Sequence, residues 1–290
     1  MRLYRTVTAV LVVAGSLPAS SAFSVSTQIQ TQSLKLPTHS FSPTGTLKVN
    51  ARSFSSTRIH SSLDDDEPIF INTDPVFNGK TTIALVAGQS LLIGIAVIAA
   101  QLLSVPNFGL GQDFVLDSSS IQSGALATLP LFAIAAVLDV VEKSVPALED
   151  VSKATQRSVL GLLGGARKPL LALVVSIGLG AAAGWGEEML FRGVLQSELS
   201  DNIGELLALG SSAIIFGALH AVTPLYALIA GIASLYFGEL FIQYHNLAVP
   251  IVCHGLYDVG ALMAAHWAVS GMTEDERIAL ANWEPPVRNS

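Results

Sequence analysis

The chain reads as an all-α, polytopic transmembrane helical bundle, and three observations carry that reading. Hydrophobic residues make up 51% of the sequence and charged residues only 13%, too apolar for an ordinary soluble domain. Charge-free runs long enough to cross a hydrocarbon core recur along it. Inside those runs the few ionisable residues are grouped at helical spacings, as they are when they face a bundle interior and serve a site. Composition also excludes some classes. The lone Cys253 rules out an intrachain disulfide and a multi-cysteine metal site. Lys and Arg are not clustered as a nucleic-acid surface requires, so no nucleic-acid partner is expected.

Taken in order, residues 1–22 open with Arg2 and Arg5, pass through the short apolar run Val7 to Leu17 and end in Ala19, Ser20, Ser21 and Ala22, the layout of a signal peptide. Residues 23–62 are rich in Ser and Thr, basic and free of acids, like a transit peptide. All 22 acidic residues of the chain come later, starting with the run Asp64 to Glu67 that marks a solvated mature N-terminus. Residues 63–168 then hold two spans and a basic loop. Thr82 to Leu103 is charge-free and long enough for about 30 Å of hydrocarbon. A loop with Pro106, Gly109 and Gly111 leads to a second span, Ile121 to Val141. The connection from Glu142 to Lys168 carries five basic residues, and its middle is expected to be an amphipathic helix on the surface. By the positive-inside rule this loop and the mature N-terminus share the stromal or cytosolic-like side.

Residues 169–270 form the core of the reading. Pro169 starts a third span whose Ala and Gly content permits close helix packing, with a kink or register change expected around Gly184 and Gly186. Leu206 to Ala221, Leu225 to Ile242 and Leu247 to Ala268 complete about six spans, and residues 271–290 follow as a charged tail. The stretch Gly184 to Arg192 is the centre of the chain, because it sets two adjacent carboxylates and an arginine in an apolar, helix-length run. Glu188 and Arg192 are spaced i, i+4 and can pair, whereas Glu187 is rotated about 100° away and left for chemistry. Phe216 and His220 end the fourth span at the same spacing. His254 and Asp258 share one face of the sixth. Glu239 has no motif around it, His245 and His266 read as structural or surface residues, and Trp185 and Tyr257 as packing residues beside the motifs.

Glu187-Glu188-x-x-x-Arg192, Phe216-x-x-x-His220 and His254-x-x-x-Asp258, in this order on successive apolar segments, resemble the three motifs of the CAAX prenyl endopeptidase and bacteriocin-processing (CPBP, or Abi) membrane protease family. The lead-in Asn246-Leu-Ala-Val-Pro250-Ile is also similar. The resemblance implies a catalytic cavity within a helical bundle and a glutamate-dependent peptide hydrolysis without metal or cofactor. It implies that Glu187 is the base that takes a proton from water and that His220 holds that water. His254 and Asp258 would face the scissile carbonyl, while Glu188 and Arg192 brace the site. Where members acting on prenylated proteins usually carry asparagine, this chain has Asp258. An ionised carboxylate repels an oxyanion, so Asp258 is either protonated or instead orients His254, the role expected of it here.

Two other readings use the same residues. Carboxylates and imidazoles are also a zinc set, so a zinc metalloprotease is the runner-up mechanism, although no His-Glu-x-x-His helix is present. A non-catalytic membrane scaffold or regulator of the same fold is the alternative to an enzyme, and a Cys253 protease is disfavoured. The expected partners are the lipid bilayer and a membrane-associated protein or peptide substrate. The junction Ser20-Ser-Ala-Phe23 resembles the bipartite plastid presequence of diatoms and related algae, which implies a multi-pass protein of a plastid (chloroplast) membrane.

Overall fold

Nine α-helices account for nearly all of the computed structural model, which describes residues 70–286, and the one β-type pairing among them is an isolated bridge between Val76 and Gly164. The signal-peptide and transit-like readings of residues 1–62 lie outside the described residues. Helix α1 (Gly79–Leu103) begins at Asn78, whose side chain accepts from the Thr81 amide. Helix α2 (Ser118–Glu142) opens with a capping box between Asp117 and Ser120. The amphipathic helix expected in the basic loop is α3 (Pro146–Leu163), which starts on a proline and buries Leu148, Ala154, Val159, Leu160, Leu162 and Leu163.

Helix α4 (Pro169–Glu188) runs on through a π-helical turn, Met189–Gln196, into α5 (Ser197–Ile203). The three pieces form one span of 35 residues. Helices α6 (Glu205–Leu219), α7 (Pro224–Tyr244) and α8 (Ala248–Gly271) follow, and α9 (Glu274–Ala281) ends the described chain. Five of the helices are long and apolar enough to cross a membrane, which makes this a multi-pass helical membrane protein. The helix expected from Leu206 to Ala221 is present as Glu205–Leu219, a 15-residue apolar helix of about 22 Å that is shorter than the five spanning ones and ends where His220 begins a turn.

The expectation of a loosened helix at Gly184 and Gly186 is corrected. Both glycines are regular α-helix, and the register change comes just after the glutamate pair, in the π turn. The glycines serve close approach instead. A Cβ on Gly184 would sit 2.8 Å from the Gly255 amide, and one on Gly186 would sit 2.9 Å from the Gln89 carbonyl. Helix α4 therefore lies directly against α8 on one side and α1 on the other. The residues read as a charged tail fold into α9, whose Thr273 and Glu276 make a capping box. Arg277 of α9 holds Asp74 through Nε to Oδ1 at 2.8 Å, and the Asn282 side chain makes a two-way amide pair with the backbone of Ile71.

These contacts fix the two ends of the bundle. One end gathers residues 71–80, α3, the turn 164–168 and α9, and there lie Lys80, Lys143, Lys153, Arg157, Arg167, Lys168 and Arg277. The other end carries Asp113, Asp117, Glu198, Asp201 and Glu205 and no Lys or Arg. There Asn246 and Val115 exchange hydrogen bonds between the connections on either side.

Candidate active site

Three helices and one helix end bring the polar residues together. Glu188 and Arg192 stand on either side of the start of the π turn, both with fully buried side chains. Within that turn every residue from Met189 to Gln196 is buried, so the arginine has no route to solvent. Its Nη1 donates to Glu188 Oε1 at 3.1 Å, and its Nη2 donates to the carbonyl and the hydroxyl of Ser234 on α7, at 2.8 and 2.7 Å. A buried guanidinium needs such partners, because an unpaired charge is strongly destabilising in an apolar interior.

The same oxygen of Glu188 meets His254 Nδ1 at 2.7 Å. A carboxylate can only accept, so Nδ1 carries the proton and Nε2 is turned the other way. On that side Asp258 Oδ2 approaches Nε2 at 3.6 Å, longer than a direct hydrogen bond. The expectation that Asp258 orients His254 is therefore modified by the geometry: the short bond that sets the ring comes from Glu188, 66 residues away in sequence. Asp258 is free to face the open side, with 29% of its side chain exposed.

His220 caps the C-terminus of α6 and turns Nδ1 to the Phe216 carbonyl at 2.8 Å. A carbonyl only accepts, so Nδ1 is the protonated nitrogen here too and Nε2 offers a lone pair. That lone pair faces Glu187 Oε2 across 3.7 Å. The gap is too wide for a direct bond and suits a water held between them. Glu187 is 7% exposed, and its Oε2 has no hydrogen-bond partner among the described residues.

Aromatic rings wall the site. Phe216 stacks on His220 with centroids 4.2 Å apart, and Phe237 stacks on His254 at 4.6 Å. The Arg192 guanidinium lies 5.1 Å from the Phe216 ring and 5.4 Å from the Phe237 ring, so cation–π contact adds to its hydrogen bonds. Tyr226, near the start of α7, packs against the core cluster that contains Met189 and Phe216.

All six residues singled out in the sequence thus converge. Ser234, Phe237 and Tyr226 were missed, because a lone serine or aromatic in an apolar helix carries no signal until its partner helix is known. The other polar candidates stay outside. Glu239 is exposed on the outer face of α7, His245 ends that helix in a left-handed conformation, and His266 is fully buried and accepts from the Lys168 amide. Cys253 is a buried core residue whose carbonyl faces Thr128. Trp185 packs edge-on against Phe114, and Tyr257 against Phe132. Among the described residues no three His, Cys, Asp or Glu side chains are gathered to hold a metal ion, and carboxylates approach both ring nitrogens of His254.

Residues 169–260 match the family model described as Type II CAAX prenyl endopeptidase Rce1-like. The matched segment is about a third of the chain and contains every one of the six residues. No curated protein and no solved structure matches the chain.

Proposed function

For a multi-pass membrane protein whose residues 169–260 match a CAAX-type endopeptidase family, we propose intramembrane peptide hydrolysis by a glutamate-activated water, acting on a membrane-associated protein or peptide. The observation that carries the reading is the 3.7 Å gap between Glu187 Oε2 and His220 Nε2, two acceptors that can both hold one water. Glu187 takes the proton of that water as it attacks the scissile carbonyl. The negative charge that develops on the carbonyl oxygen is met by the Nε2–H of His254 in its doubly protonated form, whose Nδ1–H is held by Glu188 and, behind it, Arg192. Glu187 then passes the proton to the leaving amine, and the peptide bond is broken with water added across it. Asp258 closes the same side without donating to the oxyanion unless it is protonated. The proposed setting is a plastid membrane, supported by the signal-like and transit-like layout of residues 1–62.

The test uses membranes from cells making Glu187→Gln as the substrate. Purified wild-type protein, treated with a strong chelator and dialysed, should generate new peptide termini in those membranes at an undiminished rate. Loss of that activity on chelation, restored by zinc and accompanied by stoichiometric zinc that His220→Ala lacks, would overturn the metal-free mechanism.

A further inference from the structure

Ser234 lies outside the three motifs, yet it ends a continuous chain of hydrogen bonds that reaches His254. Its hydroxyl takes Arg192 Nη2 at 2.7 Å, Arg192 Nη1 holds Glu188 Oε1 at 3.1 Å, and that oxygen holds His254 Nδ1 at 2.7 Å. Ser234 is 1% exposed, and Arg192 and Glu188 are fully buried, so no solvent competes along the chain. Three residues further along α7, on the same face, Phe237 stacks on His254 with the planes only 13° apart. One face of α7 therefore touches His254 by two independent routes, a ring and a relay of charge-assisted hydrogen bonds.

We propose that Ser234 is a positioning residue for the hydrolysis, fixing through Arg192 and Glu188 the orientation in which His254 presents Nε2 to the scissile carbonyl. The proposal rests on the endopeptidase reading above. The Ser234 carbonyl also accepts from Nη2, at 2.8 Å, so removing the hydroxyl leaves the guanidinium in place, held by that carbonyl and by Glu188, but with one of its two restraints on α7 gone and room to pivot. Arg192 Nε has no partner among the described residues and does not replace the lost bond. A pivot there moves Glu188 and, with it, the imidazole. Displacements of this kind around a catalytic group cost roughly tenfold or more in rate while leaving the fold intact.

The test compares Ser234→Ala, Ser234→Cys, Ser234→Thr and the control Ser176→Ala, a buried serine of α4 whose hydroxyl has no partner among the described residues. Two measurements are made on purified protein at equal abundance and equal thermal midpoint. One is the downfield ring-proton resonance of His254 in histidine-labelled protein, assigned by its loss in His254→Gln. The other is kcat and KM for processing of membranes from Glu187→Gln cells. The expected result is a shifted or broadened resonance and a roughly tenfold lower kcat at unchanged KM in Ser234→Ala and Ser234→Cys. Ser234→Thr should restore both, and Ser176→Ala should resemble wild type. An unmoved resonance in Ser234→Ala and Ser234→Cys overturns the proposal, whatever the rate does. A moved resonance together with wild-type processing by Glu187→Gln upholds the positioning link and sinks the endopeptidase reading instead.

Discussion

Through one oxygen, Glu188 Oε1, a single carboxylate binds both Arg192 and His254, and this explains why two adjacent glutamates have different fates. Glu188 is committed to the bundle. Glu187, rotated away, faces His220 and the open side. Removing Arg192 strands a buried carboxylate and two acceptors on α7, so Arg192→Ala should destabilise the protein by about 3–5 kcal/mol. Glu187→Gln, at a site already open to a water, should stay within about 1 kcal/mol of wild type. Thermal unfolding in the same detergent micelle checks the contrast, and equal midpoints for the two variants would contradict it. The i, i+4 pair of Glu188 with Arg192 could be read from spacing alone, because helix geometry dictates it. The bond from Glu188 to His254 could not, since periodicity says which residues share a face and not which face another helix will meet.

At the level of elements, the π turn Met189–Gln196 is the distinctive feature, a wide turn placed immediately after the glutamate pair. It needs Gly193, where a Cβ would fall 1.8 Å from the Gly109 carbonyl of the loop after α1. Gly193→Ala should therefore cost about 3 kcal/mol or more and reduce activity by displacing the turn that carries Arg192, as thermal midpoint and processing assays on one preparation would show. Hydropathy located the apolar helices, the 15-residue α6 included, to within a few residues. It missed α9, whose many charges hide a capped helix. That helix clasps the N-terminal strap. The hydrogen bond from Arg277 holds the Asp74 carboxyl below its ordinary 3.8, with a smaller attraction from the guanidinium charge and some opposition from burial. A lowered carboxyl pKa contributes stability that is present above the ordinary value and lost as pH falls through the lowered one. The clasp should thus be unchanged from neutral pH to about pH 5 and open in more acidic solution. A spin label at the exposed position of Thr73 should gain mobility on acidification, and at every pH in Arg277→Ala. Cys253 is buried and leaves the labelling specific. A label at neutral pH equally mobile in wild type and in Arg277→Ala would count against the clasp.

For the whole molecule, charge partitions between the two ends: apart from the buried Arg192, every described Lys and Arg lies at the α3 and α9 end. Positive-inside asymmetry therefore predicts that Thr73→Cys is shielded, and Asp113→Cys labelled, by an impermeant thiol reagent added from the side opposite the stromal or cytosolic-like one. The opposite pattern would invert the topology. Residues 1–62 fused to a fluorescent reporter in a diatom should reach the plastid, with Phe23→Ala misrouted; secretion of the unaltered fusion would end the plastid proposal. The deeper claim is that these buried charges serve chemistry rather than packing. It is tested most directly by mapping peptide termini in membranes from cells that lack the native protein and express, at equal levels, either wild type or Glu187→Gln. The account predicts that specific membrane-associated proteins lose a defined terminus and accumulate uncut when Glu187 is changed, with the variant folded and abundant. Identical termini in the two membranes, together with full rescue by the variant, would contradict it and leave a scaffold whose charges only hold helices together.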